Sequence, residues 1–121
     1  MTARSLVVKV TAGAAEPERC AQAFTVAATA AAAGVQVSLW LTGESVWFAV
    51  PGQAETFELP HSAPLVSLLA TVLAAGTVTV CTQCAARRDL ASGDLIPGVR
   101  IAGAAAFVEE ALADNAQALV Y

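Results

Sequence analysis

Apolar and polar positions along this chain switch repeatedly between a period of two and a period near 3.6, which predicts strands alternating with helices. Ser5–Val10 reads as a first strand, followed by a loop at Thr11–Ala15. Pro17 suits the first turn of a helix, and Glu16 and Glu18 suit its positive end. That helix runs to about Ala33, with Gly34 as its stop. Cys20, Phe24, Ala27, Ala28 and Ala31 share the inward face, while Glu18, Gln22, Thr25 and Thr29 fall on the opposite side. In Val35–Leu41 the residues Val35, Val37, Leu39 and Leu41 alternate with Gln36, Ser38 and Trp40. One polar face predicts an edge strand.

Thr42–Ser45 turns into a short helical piece, Val46–Val50, and Pro51–Ser62 reads as a long loop. Ser62 can cap a helix over about Ala63–Ala75, ended by Gly76, with Leu65, Leu68, Leu69, Val72 and Leu73 as its buried stripe. Thr77–Cys81 is a β-branched strand, and a short helix follows from about Gln83 to Leu90. After turns at Ser92–Asp94 and Pro97–Gly98 comes a brief strand, Val99–Ile101. A helix over Ala104–Ala113 is predicted to bury Phe107, Val108 and Leu112, and Gln117–Tyr121 forms the last strand. The order β-α-β-α-β-α-β-α-β predicts a three-layer α/β/α domain around a five-stranded, mainly parallel sheet. A flavodoxin-like strand order, 2-1-3-4-5, would put the polar-faced second strand at an edge and a ligand site at the switch point between strands 1 and 3.

No linker or internal repeat divides the 121 residues, so one domain is expected. The chain is 57% apolar and 13% charged, against about a quarter charged in an ordinary domain. Partner subunits covering part of the surface would account for this, which predicts a homo-oligomer. The net charge is −4, and among the basic residues only Arg87 and Arg88 are adjacent, so a nucleic-acid-binding face is not expected. Thr25–Gly34 is mostly alanine, and Pro64–Cys81 is interrupted by hydroxyl residues and falls short of the roughly 20 residues a span requires. With no secretory pattern at its start, the chain reads as a soluble cytoplasmic protein. Three cysteines there do not form a disulfide framework.

The candidate chemistry lies in Val78-Thr-Val-Cys81-Thr-Gln-Cys84-Ala85, where a strand turns into a helix. Amides at the start of that helix would favour thiolate over thiol at Cys81 and lower its pKa from about 8.5. Cys84, one turn on, could resolve a mixed disulfide or persulfide, or it could be a core residue. Cys20 lies on the buried stripe of the first helix and reads as structural. A closed zinc site needs four ligands; Cys81, Cys84 and His61 supply at most three, so no metal is expected. Lys9 either supports the Cys81 thiolate or reaches out to solvent at the strand end. His61 is a base or an exposed loop residue, and Arg87 and Arg88 hold an anionic partner or form a solvated helix face.

The run Val-Thr-Val-Cys81-Thr-Gln-Cys84-Ala-Ala-Arg-Arg resembles the cysteine region of the DsrE/DsrF-like proteins, which include the TusD-type sulfur carriers. The segment from Asp94 to Gly103 is similar to the family's link from the cysteine helix to the next strand and helix. The chain departs from the family in placing Asp89-Leu90 where a glycine often follows the Arg-rich helix. The resemblance implies a three-layer α/β/α fold, assembly as trimers or hexamers, and a persulfide carried on Cys81. Cys84 matches a second cysteine present in only some members. A sulfur carrier or sulfurtransferase would need no cofactor, and its partners would be a sulfur donor and a sulfur acceptor. A dithiol oxidoreductase using Cys81 and Cys84, and an oligomeric binding subunit whose thiols are core residues, are the alternatives.

Overall fold

The strand Ser5–Val10 (β1) is flanked on both sides by parallel neighbours. The structure, a computed structural model, describes residues 4–121. After β1 come the helix Pro17–Ala32 (α1), the strand Gln36–Leu41 (β2), 3-10 turns at Gly43–Ala49 and Ala54–Thr56, and the helix Leu65–Ala75 (α2). Thr77–Cys81 (β3), Thr82–Arg87 (α3), a 3-10 turn at Ser92–Asp94, Arg100–Ala102 (β4), Ala104–Ala111 (α4) and Ala116–Val120 (β5) complete the chain. The expected class holds: five parallel strands with helices on both sides.

The strand order is β4-β3-β2-β1-β5, not 2-1-3-4-5. Each crossover from β1 to β4 steps one strand in the same direction, and only the last connection returns, placing β5 beyond β1. The edge strands are therefore β4 and β5, and β2 is the middle strand. Its second face looked polar in sequence, but Trp40 on that face is only 1% exposed. An indole is mostly apolar surface with one donor, and α4 covers it.

Register fixes two faces. Val8, Val10, Leu39, Leu41, Val78 and Val80 point to one side and are fully buried in the main core. Lys9, Trp40, Thr79 and Arg100 lie side by side on the other, in the same row across four strands. The first face is closed by α1, α2 and α3. All five residues expected inside α1 are buried, joined by Ala21 and Ala23. Small side chains let this helix lie close to the sheet, and Phe24 fills the space beside it, edge-on to Phe48 at 6.3 Å. The helix ends as expected: Gly34 adopts a left-handed φ of +87°. Its N–H and that of Val35 close back on the carbonyls of Ala31 and Ala30.

In α2 the helix begins at Leu65, after Pro64, so Ser62 does not cap it; the Ser62 hydroxyl donates to the Ala63 carbonyl. Leu65, Leu69 and Val72 are fully buried, while Leu68 and Leu73 are half-buried. Gly76 ends α2 against β2, where an added Cβ would sit 2.4 Å from the Val37 carbonyl oxygen. Among the described residues, α4 is the one helix on the second face. That helix buries none of its residues: Phe107 is half-buried, Val108 is 50% exposed, and Leu112, just past its end, is 79% exposed. The expectation that all three are core fails because none of the described residues covers the outer side of α4. No helix of the described residues is long and apolar enough to cross a membrane.

Candidate functional site

β3 passes into α3 without a loop, and Cys81 is both the last strand residue and the N-cap of the helix. Its partner in β4 is Ala102, which puts its side chain on the second face, in the direction of Lys9 and Trp40. Cys84, in the first turns of α3, turns instead toward the closed face and is buried. Its sulfur accepts the Gly43 N–H at 3.2 Å. Gly43 reaches it in a left-handed conformation, φ +57°, where an added Cβ would meet the Thr11 carbonyl oxygen at 2.8 Å.

The half-buried Cys81 sulfur is surrounded by donors. Partial burial pushes its thiol up. The N–H of Cys84, the Cys84 thiol, the N–H of Gln83 and the charge of Lys9 outweigh that and bring it below the usual cysteine range. In its protonated form the thiol donates to Gln83 Oε1 at 3.5 Å. Cys20 is the contrast: completely buried in α1, its thiol is pushed up to about 12 by burial alone. One thiol thus has its anion favoured, and another is a small apolar side chain.

A family model matches residues 4–120, described as the DsrE/DsrF-like family. The chain belongs to the DsrE/DsrF-like family. Two solved structures share its fold. The ychN protein from E. coli superposes with a TM-score of 0.79 at 18% identity, over 99% of this chain and 100% of that one. MTH1491 from Methanobacterium thermoautotrophicum, a protein of unknown function, gives 0.72 at 7% identity, over 98% and 99%. No curated protein matches the sequence.

In this DsrE/DsrF-like domain the expected meeting of Cys81 with the loop after β1, at a switch between strands 1 and 3, does not occur, because β2 lies between them. The order reverses between β1 and β5, where Thr11 bonds the Tyr121 carbonyl through both its N–H and its hydroxyl. Cys81 instead lies beside β4 and close to the turn that follows β2. Of the two readings for Lys9, the first has support, since its charge favours the thiolate, while its Nζ does not simply run out to solvent but rests 5.0 Å from the centre of the Phe107 ring. His61 sits elsewhere, in a left-handed loop position lining a groove of about 460 Å³ with Glu18 and Gln22 of α1 and with Tyr121. Among the described residues no three His, Cys, Asp or Glu side chains converge as a metal site. Arg88 is engaged internally: Nε and a terminal nitrogen hold Glu44 Oε2 at 2.9 and 2.8 Å, and the other terminal nitrogen donates to the Cys84 carbonyl. Arg87 faces solvent.

Sequence reasoning missed a polar cluster below Cys81 on the same face. Ser38 and the Trp40 indole donate to Glu110 Oε1 at 2.5 and 3.2 Å, and Arg100 pairs with Oε2 of the same carboxylate. The Arg100 Nε also donates to Thr79 at 2.6 Å. The alternating Ser38 and Trp40 were the visible half of this cluster. Their partner lies on a helix far along the chain.

Proposed function

We propose that this protein is a sulfur carrier in which Cys81 accepts sulfane sulfur as a persulfide and relays it to a partner thiol. The observation that carries the reading is the half-exposed Cys81 sulfur at the carboxyl end of β3, where two amides, a thiol and an ammonium favour its anion. In loading, the thiolate attacks the outer sulfur of a donor persulfide. A new S–S bond forms on Cys81, the donor's S–S bond breaks, and the donor leaves as a thiolate. No net oxidation occurs, so neither cofactor nor metal is needed. In unloading, an acceptor thiolate attacks the same outer sulfur and Cys81 leaves as the stabilised thiolate. The same lowering of the thiol pKa that raises the share of thiolate also makes Cys81 a better leaving group. The donor and acceptor are proteins bearing reactive thiols, and the setting is the reducing cytoplasm.

The Cys84 thiol, near enough to favour the Cys81 anion, supports a second reading, in which Cys84 closes a disulfide with Cys81 and the pair works as a dithiol oxidoreductase. Intact-protein mass spectrometry after exposure to a persulfide donor separates the two. Sulfur carriage predicts a gain of one sulfur atom that survives Cys84→Ser and disappears in Cys81→Ser. Equal loading of the Cys81→Ser variant would sink the proposal, and loss of two hydrogens in place of a sulfur gain would favour the disulfide reading. We also infer that the chain assembles with copies of itself, as a trimer or hexamer. The low charge of the chain and the exposed apolar side chains of Val108, Leu112, Leu119 and Val120 support this.

A further inference from the structure

We infer that Phe107 is a positioning residue for the Cys81 thiolate and acts through Lys9: its ring holds the Lys9 ammonium over the second face of the sheet, on the side where the thiolate forms. The register makes this geometry specific. Lys9 lies opposite Trp40, Trp40 opposite Thr79, and Cys81 follows two residues after Thr79 on the same face. A lysine side chain has four rotatable bonds and would otherwise spread its charge through solvent. Here Nζ sits 5.0 Å from the Phe107 ring centre, within the range of a cation–π contact. The ring in turn is fixed edge-to-face on Trp40 at 5.4 Å. Trp40 is buried, and its indole N–H is tied to Glu110. A rigid residue of the middle strand therefore locates the ring, and the ring locates the charge.

The charged groups facing this region are Lys9 from β1, Arg100 from β4 and Glu110 from α4; Cys84 of α3 lies toward the closed face. Arg100 and Glu110 neutralise one another. Farther along α3, Arg88 is paired with Glu44. Among the described residues Lys9 makes no ion pair, so its charge is not cancelled by a carboxylate. An aromatic face in place of a carboxylate holds that ammonium and keeps its field available to the sulfur.

The inference rests on Cys81 being the reactive thiol, but its test reads acidity and not sulfur transfer. Alkylation of Cys81 by iodoacetamide is followed against pH by peptide mass, in wild type, Phe107→Leu, Phe107→Tyr, Lys9→Met and the Lys9→Met/Phe107→Leu pair. Phe107→Leu is expected to raise the apparent pKa and slow alkylation at neutral pH in the same direction as Lys9→Met and by no more than that variant does. Phe107→Tyr, which keeps the ring, restores the wild-type profile. In the Lys9→Met background, Phe107→Leu should have no further effect, because the charge it positions is gone. An unchanged profile in Phe107→Leu, or an equal added shift in the double variant, would overturn the inference. Lys9→Met leaves the packing of α4 on Trp40 intact, so the test stands even if Phe107→Leu loosens that helix. A protein that fails to carry sulfur but passes this test would refute the sulfur-carrier reading alone.

Discussion

On one face of the sheet, Val8, Val10, Leu39, Leu41, Val78 and Val80 meet three helices and the aromatic rings of Phe24 and Phe48. On the other, Lys9, Ser38, Trp40, Thr79 and Cys81 meet the single helix α4, which buries none of its own residues. The two faces share a backbone and differ in what their side chains do. The closed face is apolar and filled, and it holds the fold. The second face carries the ion pair with Arg100, the hydrogen bonds to Glu110, the cation over Phe107 and the half-buried Cys81 thiol. Cys84 and Cys81 show the division at one point in the chain: three residues apart, Cys84 is buried in the closed core, and Cys81 is half-buried with its acidity raised.

The sharpest way to break this comparison is to truncate a ring on each side. Phe24 is fully buried against the closed face, so Phe24→Ala should cost about 3–5 kcal/mol. That is a large part of the roughly 5–15 kcal/mol available to a domain. Phe107→Ala, at a half-buried position under no further layer, should cost clearly less. Urea unfolding followed by circular dichroism measures both. Equal losses would mean that the second face contributes to stability as much as the first, and the division would fail.

Much of this division could be read from the chain. Periodicity placed β1 and β3 with the bounds they have, put all five inward residues of α1 inside, and set Cys81 at the end of a strand. Periodicity reports which way a side chain points, but not which strand lies next door. Parallel strands with apolar faces look alike, so the order 4-3-2-1-5 was not visible. The same limit misplaced β2, because the partner that removes Ser38 and Trp40 from solvent is Glu110, on α4. An amphipathic stripe also does not say whether its apolar side meets the same chain or another copy, which is why Val108 and Leu112 were placed in a core they do not join. Lys9 could be singled out because a charge inside a strand is unusual. Its ring partner could not, since Phe107 resembles any core aromatic.

A subtler test uses pH. Burial pushes the Glu110 carboxyl up, but the Ser38 hydroxyl, the Trp40 indole and Arg100 outweigh it and hold the group below the usual glutamate range. A carboxyl whose folded pKa is depressed stabilises the fold above its unfolded value, about 4.3, and loses that contribution as pH falls through the lower folded value. Glu110→Gln should therefore cost on the order of 1 kcal/mol near neutral pH. The difference from wild type should shrink in acid. Urea midpoints at neutral pH and well below pH 4 measure it. A difference that stays constant with pH would show that the carboxylate is not what ties α4 to the sheet.

The smallest effect on the protomer tests whether the second face is open at all. Leu112 is 79% exposed, and Val120, on the edge strand β5, is 63% exposed. Replacing each by Ser should change the stability of the isolated chain by about 0.5 kcal/mol or less, because little packing is lost. If a second copy covers α4 and β5, the same changes place hydroxyls in an apolar interface and weaken association far more than they weaken folding. Sedimentation of wild type and of Leu112→Ser/Val120→Ser is expected to show an oligomer that dissociates in the variant while its unfolding in urea is almost unchanged. A wild-type protein that sediments as a monomer at every concentration would show that these side chains stay in water. The second face would then be left to α4 alone, held by little more than Phe107 and Glu110.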